Sequence, residues 1–380
     1  MKRIIALILA LTLLLCGCGA KADKTEPTLE PVSLDALIEA NGRTPSSDSS
    51  DEASAEAAEA AETTEATEAP TEPKPMFNPL NGTPLDAPFT GRIFASTVSN
   101  MQENLPHVNV VKADVLMEMY VSMNNVVRCL ALFSDVASVE AIGSTRSTRP
   151  VFNDIAQHYD LILSHAGGSD TALNDANSRG LEHMNIESWD VMQVATTSYR
   201  DKEYRRSLEN SLFAIGSGLV DYAKAQGWPM ELERDYGLTF TENGTPTGGE
   251  AANKISLTFA YKEAKKDTAM VYDAEMDKYV WNQYGKEMTD QISGEKEAFT
   301  NVIIMLSGAS NEGLYHKYDF LAGGSGYFAC GGQLIPITWS CEDADAPFRF
   351  FTADGAPVDL GMGNTYIAIA PTGSPVSWEA

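Results

Sequence analysis

The chain has 380 residues, of which 43% are hydrophobic, a composition typical of globular proteins and a length sufficient for two domains. Its 27 basic and 53 acidic residues give a formal net charge of −26. This excess of negative charge excludes nucleic acid as a partner, because nucleic-acid-binding proteins need a basic surface. It also argues against attachment to anionic lipid by charge alone.

The N-terminus has the layout of a secretory signal. Lys2 and Arg3 precede an apolar run from Ile4 to Leu15, which is too short to span a bilayer, since that needs about 20 apolar residues. The small residue Gly17 stands directly before Cys18, which predicts cleavage before Cys18 and lipid on its sulfur. We therefore expect an extracytoplasmic lipoprotein anchored to the bacterial cell membrane; the alternative is an ordinary signal with a chance cysteine.

The signal is assigned to residues 1–17, and residues 18–76 are predicted to form a disordered acidic tether. From Ser46 to Pro75 the sequence is almost entirely Ala, Glu, Thr, Ser, Asp and Pro. Such a segment cannot bury enough apolar surface to offset its loss of conformational entropy. Repulsion between its carboxylates extends it, so we expect a spacer between the membrane and the folded part.

Residues 77–227 are predicted to form an α/β domain with a mixed sheet. A strand is expected at 93–98, and strands at 115–121 and 126–133 are expected to form a hairpin around Met123-Asn124-Asn125.

Two strand–loop–helix units are predicted next. An apolar strand at 139–142 leads through a polar loop at 143–149 to a helix that begins at Pro150, where the missing N–H is tolerated. A second strand at 161–163 leads through the loop 164–169 to another helix. This order predicts a parallel pair of strands with a right-handed crossover.

Two further helix limits follow from glycines, which often end helices. The second helix is expected from Asp170 to Gly180. A longer helix is expected to end near Gly227. Its apolar stripe consists of Leu208, Leu212, Ile215, Leu219 and Tyr222.

Residues 250–372 are predicted to form a smaller, mainly antiparallel β domain. Apolar and polar residues alternate in short runs at 255–261, 302–306, 327–329 and 335–337, and Gly and Asp turns separate the runs. The predicted fold class is therefore an α/β N-terminal domain, a mixed sheet with parallel strand–helix–strand units, followed by this β domain.

Three cysteines remain beyond the signal: Cys129, Cys330 and Cys341. A tight hairpin at Gly331-Gly332 sets Cys330 opposite Gln333 rather than Cys341, so we expect three free and mostly buried thiols. A Cys330–Cys341 bridge stays open as the alternative. No metal-ligand spacing and no cofactor motif occurs in the sequence.

The loops 143–149 and 164–169 carry the candidate site, because ligands bind beyond the carboxyl ends of strands in α/β sheets. Arg146 and Arg149 stand at a helix start, and arginine binds phosphate or carboxylate in two-point contact. We predict an anion site for phosphate, carboxylate or an acidic side chain of a partner. Its other candidate residues are Arg128, Ser144, His165, Ser169 and Glu118.

A structural role is the alternative for these side chains. Arg146 and Arg149 would then pair with Asp114, Glu118 or Asp154 and fix the loop. For His165 we favour a buried, hydrogen-bonded histidine over an acid–base catalyst. The sequence has no G-x-S-x-G, no H-E-x-x-H and no Walker-type lysine, so hydrolase signatures are missing.

Several motifs after the tether resemble the YerB-like lipoproteins, a two-domain family of unknown function. They include Arg146-Ser147-Thr148-Arg149-Pro150, the run from His165 to Ser169 and Tyr199-Arg200-Asp201-Lys202. The remaining matches are Asn78-Pro79-Leu80 with Gly82, Ala113-Asp114 with Glu118, Arg128, Tyr159-Asp160, Asn301-Val302-Ile303, Gly324-Ser325-Gly326, Thr338-Trp339 and Phe348-Arg349-Phe350. The resemblance implies the two domains of unknown function 3048 but no activity or cofactor.

The chain departs from the family pattern at two places. Met123-Asn124-Asn125 stands near the place where the family tends to have two glycines, and Leu208-Glu209-Asn210 stands where it has Pro-His-Asn. A histidine serving a site there is absent from this chain, which favours binding over acid–base catalysis.

Three functions are compatible with these observations. The first is a non-enzymatic envelope lipoprotein that binds an anionic small molecule, a cell-wall component or a protein partner at the Arg146/Arg149 loop. The second is an envelope enzyme that acts on a phosphorylated or acidic wall substrate and uses arginines to hold its charge. The third is a scaffold that docks other envelope proteins.

Overall fold

The computed structural model describes residues 76–123, 126–201 and 207–380. The predicted signal, the lipidation site Cys18 and the tether up to residue 75 lie outside the described residues, as do Asn124 and Asn125 of the predicted turn. No helix in the described ranges is both long and apolar enough to cross a membrane.

The described residues form four α-helices: α1 (Pro150–Tyr159), α2 (Asp170–Arg179), α3 (Trp189–Val194) and α4 (Gly216–Ala225). Their strands are, in chain order, β1 (Phe94–Ser99), β2 (Val115–Ser122), β3 (Val126–Phe133), β4 (Ile142–Gly143), β5 (Ile162–His165), β6 (His183–Asn185), β7 (Ser198–Arg200), β8 (Leu212–Ala214), β9 (Thr239–Thr241), β10 (Glu250–Ala251), β11 (Lys254–Tyr261), β12 (Ala264–Asp273), β13 (Lys278–Gln283), β14 (Lys286–Glu287), β15 (Ala298–Phe299), β16 (Asn301–Ser307), β17 (Ala309–Glu312), β18 (Tyr315–Tyr318), β19 (Gly324–Cys330), β20 (Gln333–Ser340), β21 (Arg349–Phe351), β22 (Asp359–Gly361), β23 (Thr365–Pro371) and β24 (Val376–Glu379).

One mixed sheet of 13 strands runs through the fold, with the central order β10-β20-β19-β16-β23-β2-β3-β1-β5-β6. Strand β23 lies between β2 and β16 and is parallel to both. The sheet therefore takes strands from both segments that were predicted as domains, 77–227 and 250–372. The second segment is rich in strands and largely antiparallel, and helices are few.

The long sheet has a different layer on each face. On β2, Val115 and Met117 point to the face that also buries Phe152 of α1. The alternate residues Leu116 and Tyr120 belong to the opposite core. A six-stranded sheet made of β11–β15 and β24 contributes to that second core. Full burial of each large apolar side chain stabilises the fold by about 1.5–3 kcal/mol.

The helices α1 and α2 confirm the predicted starts and stops. Pro150 occupies the first position of α1, and Asp160 ends it in the left-handed conformation. The Ser169 hydroxyl caps α2 by accepting a hydrogen bond from the Ala172 N–H at 3.1 Å. Gly180 ends α2 at a φ of 68°.

The predicted parallel pairing is only partly right. Strand β4 is Ile142–Gly143 and pairs antiparallel with β8, in a three-stranded sheet with β7. The parallel neighbours of β5 are β1 and β6, so a parallel strand–helix–strand unit occurs as β5-α2-β6, with a different partner strand from the one predicted. The first unit fails because β4 is only two residues long and pairs with β8 instead of β5.

The predicted long helix is also wrong in its first half. Leu212 belongs to strand β8, and α4 begins at Gly216. The backbone N–H of Gly216 donates to the carbonyl of Val139 at 3.0 Å, and a side chain at 216 would overlap the Val136 carbonyl. This close approach fixes the helix start at a glycine.

The hairpin and thiol predictions are confirmed. Strands β2 and β3 pair antiparallel, and Cys330 lies opposite Gln333. Cys129, Cys330 and Cys341 are free and buried.

Candidate functional site

The loops 143–149 and 164–169 lie side by side, as the sequence predicts. The N–H of Ala166 donates to the Arg146 carbonyl at 2.9 Å, and the N–H of Thr148 donates to the Gly167 carbonyl at 3.0 Å. The first loop is also held to β1, because the N–H of Arg146 donates to the Thr97 carbonyl at 3.0 Å. Both loops are therefore positioned by backbone contacts to the long sheet and to each other.

These loops border a cleft of 400 Å³, which we call the arginine cleft. Its charged lining residues are Arg128, Arg146, Arg149, Arg200, Glu187 and Glu209. Among the described lining residues, four arginines and two glutamates leave an excess of two positive charges in a chain whose net charge is −26. A local excess of this sign attracts anions.

Arg128 forms the buried floor of the arginine cleft. Its side chain projects from β3, is almost fully buried, and donates a hydrogen bond to the Ser147 carbonyl. Among the described residues no carboxylate forms an ion pair with it. Burial and repulsion from Arg149 and Arg146 hold the pKa of Arg128 well below its usual value. A nearby anion would relieve both effects.

Arg149 is the second arginine without an ion-pair partner in the described part of the chain. One terminal nitrogen donates to the Thr148 carbonyl at 2.7 Å, and the guanidinium lies 5.3 Å from the ring centre of Tyr315. Its Nε is buried and has no hydrogen-bond partner. Burial lowers the pKa of Arg149, and the neighbouring Arg146 adds to this effect.

The outer two arginines have carboxylate partners. Arg146 approaches the carboxylate of Glu209 at 3.3 Å and donates to its carbonyl at 2.8 Å. Arg200 contacts Glu187 at 2.6 Å and donates to the Leu208 carbonyl at 2.6 Å. The Glu209 side chain is 80% exposed, so its ion pair is worth little and yields easily to a competing anion.

The alternative prediction, that Arg146 and Arg149 pair with one of three internal carboxylates, is wrong. Asp114, Glu118 and Asp154 each have another partner. These partners are, in that order, Ser134, Lys266 and Arg179. Glu118 is fully buried in its own network and does not line the cleft.

Three other predicted site residues also lie outside the cleft lining. His165 is fully buried, with Nδ1 2.8 Å from the Gly167 carbonyl and Nε2 2.9 Å from Nδ1 of His183. Burial, and then the neighbouring His183, lower the pKa of His165 to about 3, so it is neutral at pH 7. Ser144 is buried, and Ser169 caps α2. The Ser169 hydroxyl therefore serves the fold, whereas the Ser144 hydroxyl has no hydrogen-bond partner among the described residues.

The sequence reasoning missed Arg200, Glu187 and Glu209 as parts of the site. Arg200 appeared only within the motif from Tyr199 to Lys202, and its basic charge in an acidic chain was a usable signal. Its position became visible only with the small sheet that pairs β7 with β8.

Within the described residues, no group of three or more His, Cys, Asp or Glu side chains is arranged to hold a metal ion.

Two family models match the chain. Residues 80–228 match the N-terminal domain and residues 257–367 the C-terminal domain of the family described as "Protein of unknown function (DUF3048)". The chain belongs to this YerB-like family. These matches cover the segments on which the resemblance was based.

Two comparisons extend this result within the YerB-like family. The Bacillus subtilis (strain 168) protein named "Putative lipoprotein YerB" is 23% identical over 312 residues, which are 80% of this chain and 88% of that protein. The crystal structure of YerB from Bacillus subtilis matches with a TM-score of 0.66 and 21% identity, over 79% of this chain and 99% of that one. The structural match shows the shared fold.

Proposed function

We propose that this YerB-like protein is a cell-envelope lipoprotein that binds an anionic ligand in the arginine cleft without transforming it. The name of the Bacillus relative and the signal ending at Cys18 support the anchored, extracytoplasmic location. The observation that carries the binding function is the charge of the cleft. Arg128 and Arg149 lie inside it without an anionic partner among the described residues.

A bound anion would supply what these arginines lack. Guanidinium groups bind phosphate and carboxylate through two parallel hydrogen bonds, and each charge-assisted bond contributes about 1.5–3 kcal/mol. The Nε of Arg149 is buried without a hydrogen-bond partner, so this guanidinium is incompletely satisfied by the protein. Two excess charges fit a dianion better than a single carboxylate.

Binding is favoured over catalysis by the other groups in the lining. The described lining residues include no histidine, cysteine or lysine, and Glu187 is held in an ion pair with Arg200. His165, which the sequence offered as an acid–base group, is neutral and hydrogen-bonded elsewhere. The arginines alone can hold charge but cannot transfer a proton.

Thermal unfolding of the full chain in phosphatidylcholine nanodiscs, with inorganic phosphate or pyrophosphate added, tests the proposal. A ligand of the folded state stabilises it by about 2.7 kcal/mol at a hundredfold excess over its Kd. We expect this stabilisation in the native protein and its loss in Arg149→Ala. Arg349→Ala is the matched control, because Arg349 is exposed and paired with Asp235. Equal stabilisation of the native protein and Arg149→Ala would contradict the proposal.

A further inference from the structure

We infer that the anion of the arginine cleft is the phosphate head of an amphiphile, whose apolar chain leaves the cleft over Leu208 and Trp189. This inference rests on the proposed function and names the class of ligand.

Large apolar side chains are exposed at the edge of the cleft. Leu208 lines the cleft and is 57% exposed. Trp189, which is 71% exposed, follows two residues after the lining residue Glu187, and Met192 and Val194 of the same helix α3 are also exposed. We call Trp189 and Leu208 the rim patch.

Arg200 connects the rim patch to the charged lining. One of its guanidinium nitrogens contacts the Glu187 carboxylate at 2.6 Å, and another donates to the Leu208 carbonyl at 2.6 Å. The segment that begins α3 and the segment of Leu208 therefore meet at one arginine of the cleft. Leu208 lines the cleft itself, so it offers apolar surface to the part of a ligand that follows a charged end bound there.

The rim patch is not required by the packing of α3. That helix already contributes Val191 to the core, whereas surface helices usually carry polar residues on their outer face. Single exposed apolar residues are common, but a cluster beside a charged cleft is typical of a binding surface.

The charge of the cleft selects the head group. A phosphate monoester carries about −1.5 to −2 charges at pH 7. This value matches the excess of two positive charges in the lining. A bilayer surface is a poorer occupant, because the chain carries a net charge of −26 and is repelled by anionic lipid.

Calorimetry on the full chain in phosphatidylcholine nanodiscs tests the inference with methyl phosphate, hexyl phosphate and hexanol. Each methylene that leaves water tightens binding about fourfold. We expect hexyl phosphate to bind at least about tenfold more tightly than methyl phosphate, and hexanol not to bind. Of the five tryptophans Trp189 is the most exposed, so its emission should shift to shorter wavelength with hexyl phosphate alone.

Matched variants separate the rim patch from general apolar binding. Leu208→Ser should lose the gain of hexyl over methyl phosphate and keep methyl phosphate binding. Leu321→Ser is the control, because Leu321 is 59% exposed and lies outside the cleft lining. Trp189→Phe should lose the emission shift.

The possible outcomes distinguish failure of this inference from failure of the proposed function. Equal affinity for the two phosphates, a gain that survives Leu208→Ser, or equally tight binding of hexanol would overturn the inference and leave the anion site in place. If neither methyl nor hexyl phosphate binds, the proposed function fails as well.

Discussion

Arg149 and Arg349 show how one residue type serves two purposes in this molecule. Arg349 is exposed and has its own aspartate, Asp235, as most surface arginines do. Arg149 lies over Tyr315, keeps a buried Nε without a partner and is repelled by its neighbours. An arginine held in this way raises the free energy of the ligand-free state and lowers that of an anion complex.

Replacing Arg149 with methionine tests this reasoning, because methionine keeps an apolar stem over Tyr315 and removes the charge. We expect the free energy of unfolding without ligand to stay equal or rise. Affinity for inorganic phosphate should fall at least about tenfold, the equivalent of one charge-assisted hydrogen bond. Denaturant unfolding and calorimetry measure the two quantities, with Arg349→Met as the control. Clear destabilisation with unchanged phosphate affinity would contradict this role.

The buried pair of His165 and His183 predicts a dependence of stability on pH. The pKa of His165 is lowered to about 3, so the unfolded chain binds a proton below about pH 6.5 that the folded chain does not bind. Stability should therefore fall between pH 6.5 and 3, by up to about 1.4 kcal/mol per pH unit from this group.

Urea unfolding at pH 7, 6, 5 and 4 measures this dependence. The variant His165→Gln cannot take up that proton, so its stability should fall less steeply over the same range. Identical slopes for the two proteins would show that His165 does not contribute.

At the scale of single residues, the sequence predicted part of the site. Arg146 and Arg149 are close in the chain, so their proximity could be read from a local motif. The pairing of His165 with His183 depends on the register of β5 and β6, which places Leu163 opposite His183. Local patterns do not encode that register.

Among the elements, the small sheet of β4, β7 and β8 shows where periodicity misleads. Leu212 and Leu219 are spaced like one helix face, yet Leu212 is in strand β8 and only Leu219 is in α4. Short apolar runs fit either structure, and the contact that decides between them comes from a distant segment.

Gly218 in α4 should not tolerate a larger residue, because a distant segment of the chain packs closely against it. A Cβ at this position would lie 2.0 Å from the Thr196 carbonyl oxygen, which is backbone and cannot rotate away. Glycine to alanine in a helix interior usually stabilises by about 1 kcal/mol. Here we expect Gly218→Ala to lower the free energy of unfolding by about 1–3 kcal/mol, measured by denaturant unfolding.

The neighbouring exposed position supplies the control for this experiment. Ser217→Ala should be neutral or slightly stabilising, since Ser217 is exposed in the same helix. A stabilised Gly218→Ala would mean that α4 moves away from Thr196 easily.

At the scale of the whole molecule, a buried ion pair ties the two family segments together. Glu118 of β2 pairs with Lys266 of β12, and it also accepts hydrogen bonds from Asn100 and from the hydroxyl of Tyr366 on β23. Lys266 lies near the rings of three aromatic side chains, which replace part of its hydration. Both charges are therefore buried and satisfied.

Removal of Lys266 should have a large effect on stability. In Lys266→Met the Glu118 carboxylate stays buried without its cation, and we expect a loss of about 3–5 kcal/mol. The double variant Glu118→Gln with Lys266→Met should recover most of this loss. Unfolding followed by fluorescence and by far-ultraviolet circular dichroism measures both, and a small effect of the single variant would contradict the prediction.

The sequence predicted the long strands β1, β2 and β3 of the first segment and four strand runs of the second, but not how the strands combine. Alternating residues identify β11 and β20, because mainly one face of each strand is buried, whereas β16 is buried on both faces. The pairing of β2 with β23 joins residues about 250 positions apart in the chain. Such contacts depend on the shape of the whole fold.

The place of β23 also affects how this polypeptide is made. During synthesis, β2 and β16 emerge long before their shared neighbour, Thr365–Pro371, and their unpaired edges stay open in the interval. Open edges invite pairing with other chains, so the protein is prone to aggregate until Thr365–Pro371 has left the ribosome and paired with both strands. Ribosome-stalled chains ending before Thr365 should thus recruit holdase chaperones that release the longer product.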